Sequence, residues 1–573
     1  MSSPDRSPLG SALADGLVFL AFLVVPLAAA PRLLDPFTSV KWYVLGAVAA
    51  GWLLVERFLC GSRGLPGFVA RTWPACVALG ILVATGSLRN GPGWAMEPIL
   101  ARGTFVTLVL AAFWYFRRTR LELGTVRRAV TVAAAIVAAV GLVQLAGFDL
   151  LSWLPGGDHR SATFGNVNMA AQFVGLALVA LLAVPPDDRG TRRRAAGIVT
   201  ELLAVGAVAY IGLVAARSAL LALVAAVVVL AVVGRVTTAR LARVGGAAAL
   251  LAAVVLAIAL APAGPLAPSV RQSKEASAEW RLAVWGDALR LIRDHPGGVG
   301  AGNFEHAFIP YALAGRSKPG EAIVFRSPHN EYLRLAAEDG LAGALLWLAL
   351  LVVLARAVHR SPATDRWRSG PGALVASGGA FLLVEASFQF PLELAFPSLL
   401  AAVLLGLALA IVDESPAFPA GDPEAGSRSR RRSGDVACVV VALAIGAGVT
   451  TAALAESLAA GRRDDVTALE RACALDPRRV EACVQAAWLR SRAGEHATAR
   501  EALRSVLERS PSYFPAIKLL GEDLLAAGER DAGCRQLRRY DGMFGGRSTA
   551  HDRVRESCPP ETSAPAPAPS RSE

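Results

Sequence analysis

The sequence predicts an all-α polytopic membrane protein of about 12–13 transmembrane helices, with a small helical-repeat tail. Three observations carry that reading. Of 573 residues, 54% are hydrophobic and only 18% are charged, and the mean hydropathy is +0.46. Soluble domains carry about 25% charged residues. Apolar runs long enough to span a bilayer recur from Gly10 to Leu454, separated mostly by short loops. In the tail, identical residues recur 34 positions apart: Ala468/Ala502, Leu469/Leu503, Pro477/Pro511, Ala482/Ala516, Gly494/Gly528 and Glu495/Glu529. That is the tetratricopeptide period, with small residues for helix packing and Pro or Gly at helix ends.

The spans follow in order. They are Gly10–Ala30, Thr38–Val55, Thr72–Leu88, Gly103–Phe116, Ala129–Gly147, Asn168–Val184, Ile198–Ala215, Ser218–Val233, Gly245–Ala263, Leu341–Val358, Gly372–Phe390, Leu394–Val412 and Val436–Leu454. Ile198 to Val233 is too long for one span, and Arg217 divides it into a hairpin turning at 215–218. The first apolar run ends without a small-residue cleavage pattern, so it reads as a span rather than a signal peptide. The domains are then 10–412, a membrane domain with a long loop at 262–328; 413–435, a Pro/Gly/Ser/Arg linker; 436–456, the last span; 462–545, the repeats; and 546–573, a disordered tail.

Orientation follows from the basic residues. Arginines crowd alternate loops: Arg117, Arg118, Arg120, Arg127 and Arg128 in one, Arg189 and Arg192–Arg194 in another, Arg428 and Arg430–Arg432 in a third. The intervening short loops carry one or two basic residues each, such as Arg32, Arg89, Arg160 and Arg217. The positive-inside rule places the N-terminus in the cytoplasm and puts the 262–328 loop and the repeats outside. The net charge of +12 thus reflects topology, not nucleic-acid binding. Seven scattered cysteines contain no CxxC pair and suggest neither a zinc site nor a disulfide framework; Cys473 and Cys483 read as small core residues.

The long loop carries pattern. Residues 279–294 are amphipathic, with Trp285, Ala288, Leu289 and Ile292 on one helical face. Trp280 and Trp285 suit a helix at the headgroup level. His295-Pro-Gly-Gly stops it, and a Gly-rich turn runs from Gly298 to Asn303. No strand precedes that turn, which excludes a dinucleotide fingerprint. The chain re-enters the membrane through Phe325–Leu351. His329 follows Pro328, and a short amphipathic turn has Tyr332, Leu333, Leu335 and Ala336 on its apolar side. Glu338-Asp339-Gly340 then breaks the turn before the next span.

Three groups on the outer side carry candidate chemistry. Arg217 stands at the tip of an apolar hairpin, Arg281 on the loop helix, and His329 at the membrane boundary. A guanidinium stays charged and binds phosphate oxygens bidentately. An imidazole accepts a proton from a hydroxyl near neutral pH. A diphosphate leaving group and a hydroxyl nucleophile would use this set. A snorkelling arginine, a solvated loop charge and a solvated helix-start histidine are the plain alternatives. Asn330, Glu331 and Glu338 are supporting candidates that structural contacts explain equally well. No Asp-x-Asp pair lies near an outer span end, so no metal site is expected.

Four elements together resemble the O-antigen ligase family, which also takes in O-antigen polymerases and pilin oligosaccharyltransferases. They are Thr163-Phe-Gly-Asn-Val-Asn-Met-Ala-Ala171, Ala216-Arg-Ser-Ala-Leu-Leu-Ala-Leu223, Arg281 to Phe304 with its Asp-His-Pro-Gly-Gly-Val-Gly-Ala-Gly-Asn run, and Pro328-His-Asn-Glu-Tyr-Leu with Glu338-Asp-Gly-Leu341. The resemblance covers about Gly10–Val412, and Ala215-Ala216 departs from the polar residues common there before the arginine. It implies a C-type glycosyltransferase membrane fold in a bacterial inner membrane. It further implies inverting, metal-independent transfer of a glycan from undecaprenyl diphosphate to an acceptor hydroxyl on the periplasmic face. The lipid-diphosphate-linked glycan would be the donor substrate, with no cofactor. Arg217 and Arg281 would hold the diphosphate, and His329 would be the base or would orient the acceptor. Lipid-A core, a growing glycan and a protein serine remain open as acceptors, corresponding to a ligase, a polymerase and a protein glycosylase. The repeats, which bind peptides and helices in general, favour a protein partner or acceptor. A glycolipid transporter would show two matching halves. A scaffold would leave the loop histidine without a role.

Overall fold

The structure, a computed structural model, describes residues 8–33, 35–62, 64–88, 92–154, 160–184, 191–259, 276–313, 325–360, 370–413, 428–461, 463–546 and 548–558. It is helical throughout, with no strand among the described residues. The chain divides into two compact units. One holds residues 1–302 and 327–461, the other residues 303–326 and 462–573. The linker at 414–427 and the end of the chain from 559 lie outside the described residues.

The larger unit is the membrane unit. Its helices are α1 Pro8–Leu27, α2 Ser39–Leu54, α3 Gly67–Leu88, α4 Pro92–Arg118, α5 Gly124–Leu145, α6 Val167–Ala183, α7 Thr191–Leu213, α8 Arg217–Val232 and α9 Thr238–Ala259. Then come α10 Ala276–Asp294, α12 Glu331–Glu338, α13 Gly340–Arg360, α14 Gly370–Ala386, α15 Ala395–Asp413 and α16 Arg428–Gly461; α11, Phe304–Leu313, belongs to the other unit. Every span read from the sequence falls on one of these helices. Among the described residues nine helices are long and apolar enough to cross a membrane, and α6, α8 and α14 are shorter apolar ones. The protein is therefore a multi-pass membrane protein.

Helix α15 is the axis of this unit. All of it except Leu405 is buried, and it packs on α4, α13 and α14. A helix apolar on every side belongs inside a bundle, not at its surface. Small residues allow the close approach, as they do between membrane helices generally. A side chain at Gly406 would run into Ala112 and the Phe113 backbone, and one at Gly175 would meet the Phe381 ring. The Thr163–Ala171 motif is a folded corner. Lys41 donates to the Thr163 carbonyl at 2.9 Å, Thr163 donates to the Pro26 carbonyl at 2.7 Å, and Asn166 caps α6. The last span, α16, is tied to α2. Its Glu456 accepts from the Asp35 amide at 2.8 Å and from the Tyr43 hydroxyl at 2.6 Å.

The smaller unit holds α17 Val466–Leu475, α18 Val480–Arg492, α19 His496–Arg509, α20 Phe514–Ala526, α21 Arg530–Met543, α22 His551–Ser557 and the loop helix α11. From α17 to α22 each helix packs on the next. The 34-residue recurrence has structural meaning. Leu469 and Leu503 are both buried, as are Ala482 and Ala516. Gly494 and Gly528 both close a hairpin with φ near +85° and +82°.

Three expectations change here. Cys473 bonds to Cys483 and Cys534 to Cys558, so a disulfide pair of crosslinks does exist. Sequence spacing hid them because each joins neighbouring helices rather than a CxxC motif. Order continues beyond residue 545 through α22, which the second bridge holds to α21, and the rest of the expected disordered tail, from 559, lies outside the described residues. Part of the long loop, 303–326, folds with the repeats, and its residues 314–324 lie outside the described residues.

Candidate active site

The site draws on five pieces of chain in the membrane unit: the start of α8, helix α10, the Gly-rich turn, the 327–340 segment and the end of α14. Helix α10 forms where expected, but its buried face lies one residue earlier. Val284, Asp287, Ala288, Leu291 and Ile292 are inside, whereas Leu289 is 56% exposed. The Gly-rich turn lies against the joint between α12 and α13. Val299 donates to the Ala337 carbonyl at 2.8 Å, Gly300 to Glu338 at 2.9 Å, and Leu341 to Pro296 at 3.0 Å. Gly298 and Gly340 have φ of +80° and +76°, and a side chain on either would strike the opposing backbone. The glycines thus serve a backbone-to-backbone seam.

Helix α12 corrects the expected apolar turn. Its buried residues include Glu331, Arg334 and Glu338, while Tyr332 is 40% exposed. Arg334 pairs with Glu331, with Glu338 at 2.7 Å and with Glu393 at 3.2 Å. Arg102 on α4 reaches Asp339 at 2.6 Å. These charges need each other: stripping one partner from a buried pair costs about 3–5 kcal/mol. Glu331 and Glu338 are therefore spoken for by Arg334 and form the floor under the histidine.

His329 has φ +52°, a left-handed conformation that costs a non-glycine residue about 1–2 kcal/mol. Both neighbours hold it there. The Trp285 indole donates to the Pro328 carbonyl at 3.0 Å. Asn330 accepts from the Leu333 amide at 3.1 Å as the α12 cap, and donates to the Ser387 carbonyl at 3.0 Å. The imidazole lies among Trp280 and Phe390, 5.9 and 5.1 Å between centroids. Its Nδ1 is buried without a hydrogen-bond partner among the described residues, and Gln389 is the polar side chain facing the ring. Burial, then the charge of Arg281, lowers its pKa below the ordinary 6.5, with Gln389 opposing.

Arg217 opens α8 just after Ala215, whose φ of +49° makes the hairpin corner. Arg281 lies on α10. Each arginine is in the other's field, and Arg281 is in that of His329. Burial pushes the Arg281 guanidinium below its usual range, with Glu385 opposing and Arg217 adding. Neither guanidinium makes a hydrogen bond or an ion pair among the described residues. Thus the three principal candidates, Arg217, Arg281 and His329, come together from three separate segments.

Two further groups join them. Glu385, near the end of α14, is 0% exposed and faces Arg281 and Ser218, and neither of its oxygens makes a hydrogen bond among the described residues. Gln389 follows one turn on. The signal was present: an acidic residue inside an apolar span is a functional candidate by default. Chemically, two cations without bound acceptors beside a neutral imidazole form a receptor for an anion next to a base.

Residues 202–348 match the Wzy_C family model, described as O-antigen ligase. No curated protein matches the chain. The matched region contains Arg217, Arg281, His329, Asn330, Glu331 and Glu338, and it stops short of Glu385. Residues 202–348 are thus similar to the O-antigen ligase family, and this likeness, in a multi-pass membrane protein, supports a membrane glycosyltransferase of the O-antigen ligase and polymerase type in general.

Proposed function

We propose that the protein transfers a glycan from undecaprenyl diphosphate to an acceptor hydroxyl at the periplasmic face of a bacterial inner membrane. The observation that supports this best is the meeting of Arg217 and Arg281 beside His329. The acceptor oxygen attacks the anomeric carbon from the side opposite the diphosphate. The carbon–oxygen bond to the diphosphate breaks, and the anomeric centre inverts. The hydroxyl proton passes to the His329 imidazole, which its surroundings keep neutral and ready to accept it. Negative charge grows on the leaving diphosphate, where the two guanidiniums stabilise it. No divalent metal enters this scheme.

The periplasmic orientation draws on two independent features. Arginines crowd the loops assigned to the cytoplasm. Both disulfides lie in the unit that the same rule puts outside, and such bonds persist in oxidising compartments. The 34-residue helical hairpins are read as tetratricopeptide repeats.

The test is transfer in liposomes from a purified lipid-diphosphate glycan, with wild type and His329→Ala side by side and chelator present. Lipid-A core, free glycan-lipid and a serine peptide are offered separately. Product from wild type alone supports the reading, and the acceptor used identifies ligase, polymerase or protein glycosylase. Glycan-lipid crossing the bilayer without product would overturn it.

A further inference from the structure

The repeats have no assigned role, and within their own unit they hold a piece of the long loop. Helix α11 and the returning residues Phe325 and Arg326 cluster with them. On α11, Phe304, Phe308, Ile309 and Ala312 are buried along one face. Phe304 stacks on Phe308 at 4.6 Å, and Phe325 meets Phe308 edge-on at 5.8 Å. The polar side engages the repeats directly: His306 Nδ1 lies 3.2 Å from Ser510 Oγ, and Ser510 is fully buried. Arg478 acts on His306, while Glu305, Arg326 and Glu481 act on Tyr513.

The repeat residues involved are not scattered. Arg478 belongs to the turn between α17 and α18 and Glu481 to the first turn of α18, and Ser510 and Tyr513 belong to the turn between α19 and α20. These turns are equivalent, 34 residues apart. The contacts therefore follow the row of inter-helix turns, an edge that the repeat architecture generates at a fixed spacing.

We propose that the repeat array is an intramolecular clasp, whose row of inter-helix turns receives helix α11 of the chain's own loop. This edge is then filled in cis and is not the surface for a foreign protein. In chain order the clasped segment opens directly after the Gly-rich turn and closes three residues before His329. Fixing it shortens the free loop between these points and lowers the entropy lost when the loop is ordered. This restraint of the loop rests on the transfer reading above; the docking itself does not.

The experiment uses full-length protein in lipid nanodiscs and reads amide exchange of the 304–313 peptide. Ser510→Arg places a cation against His306 and Arg478. It should speed exchange in α11 at least about 10-fold, while α18 and α20 keep their protection. His306→Asp combined with Ser510→Arg replaces the clash with an ion pair and should bring exchange back toward wild type. As a second probe, His306→Cys with Ser510→Cys should form a crosslink under oxidising conditions. Fast exchange of α11 in the wild type, equal exchange in Ser510→Arg, or no crosslink would overturn the docking. Glycan transfer, measured on the same proteins, should fall about 10-fold in Ser510→Arg and recover in the charge-swapped pair. Lost protection with unchanged transfer would overturn the restraint alone.

Discussion

The Trp285 indole donates to the Pro328 carbonyl at 3.0 Å, tying the middle of α10 to the residue that precedes His329. Arg281 sits one helical turn earlier on the same helix. One hydrogen bond therefore sets the distance between the proposed phosphate ligand and the proposed base. Trp285→Phe keeps most of the ring packing and removes the donor. A single neutral hydrogen bond is worth about 1 kcal/mol, so the thermal midpoint should move only slightly. The turnover number should fall about 10-fold with little change in KM for the lipid donor, because misplacement acts on the reacting geometry. A rise in KM alone would place Trp285 in donor binding instead.

The pH dependence has a defined sign. Burial and Arg281 lower the His329 pKa below 6.5, so the imidazole is neutral at pH 7. As a base it loses function only when protonated, so the acid limb of kcat/KM should lie below pH 6.5. The same shift makes the folded state bind fewer protons than the unfolded chain, so stability from this site is lost as pH falls below 6.5. Arg281→Met removes one of the two lowering influences. Transfer should drop by about 10²–10³, and the residual activity should show its acid limb displaced upward. An unshifted limb would mean that the titrating group is not His329.

Much of this was legible because membranes impose simple rules. Span length, hairpin division and basic-loop bias needed only counting, and each span has its helix. Arg217, Arg281 and His329 were readable as polar groups at apolar boundaries. The α12 floor was not, because a buried face made of Glu331, Arg334 and Glu338 inverts the usual pattern and depends on Glu393 and Arg102 from distant helices. The α10 register was missed for the same reason: Asp287 is buried where apolarity was sought. Tertiary pairing also decided the disulfides, which join residues on adjacent helices.

The α12 floor makes a prediction of its own. Arg334→Met leaves Glu331 and Glu338 buried beside Glu393 without their cation. That should destabilise the membrane unit by about 3–5 kcal/mol. Adding Glu331→Gln and Glu338→Met should recover much of the loss, since an apolar replacement for a whole buried ion network is often neutral. Thermal unfolding in detergent reads both. A harmless single Arg334→Met would show that water reaches these carboxylates.

The disulfides predict a stability that depends on redox state. The bridges close loops with sequence separations of 10 and 24 residues. In the chain-entropy account, loops of this size are worth about 3 kcal/mol each. Cys473→Ser with Cys534→Ser should lower the midpoint of the repeat unit and make it more sensitive to protease. The three remaining cysteines, Cys60, Cys76 and Cys438, are free. In intact spheroplasts, a membrane-impermeant maleimide should label neither Cys60 nor Cys438, which the basic-loop rule puts on the cytoplasmic side. Labelling of either would reverse the topology.

Glu385 supplies the sharpest test of the anion site, because its carboxyl group already faces Arg281 there. Its carboxylate is fully buried and faces Arg281 and Ser218. A diphosphate arriving at Arg281 must compete with that group, and the departing product is released against the same competition. Glu385→Gln keeps the shape and removes the acidity. Inorganic pyrophosphate should then inhibit at about 10-fold lower concentration, since roughly 1.4 kcal/mol of competition has been removed. Turnover should slow as the product is held longer. Arg217→Ala in the same background should cancel the gain, because both effects pass through one anion position. If pyrophosphate instead binds more weakly to Glu385→Gln, the carboxylate orients Arg281 for the ligand rather than competing with it.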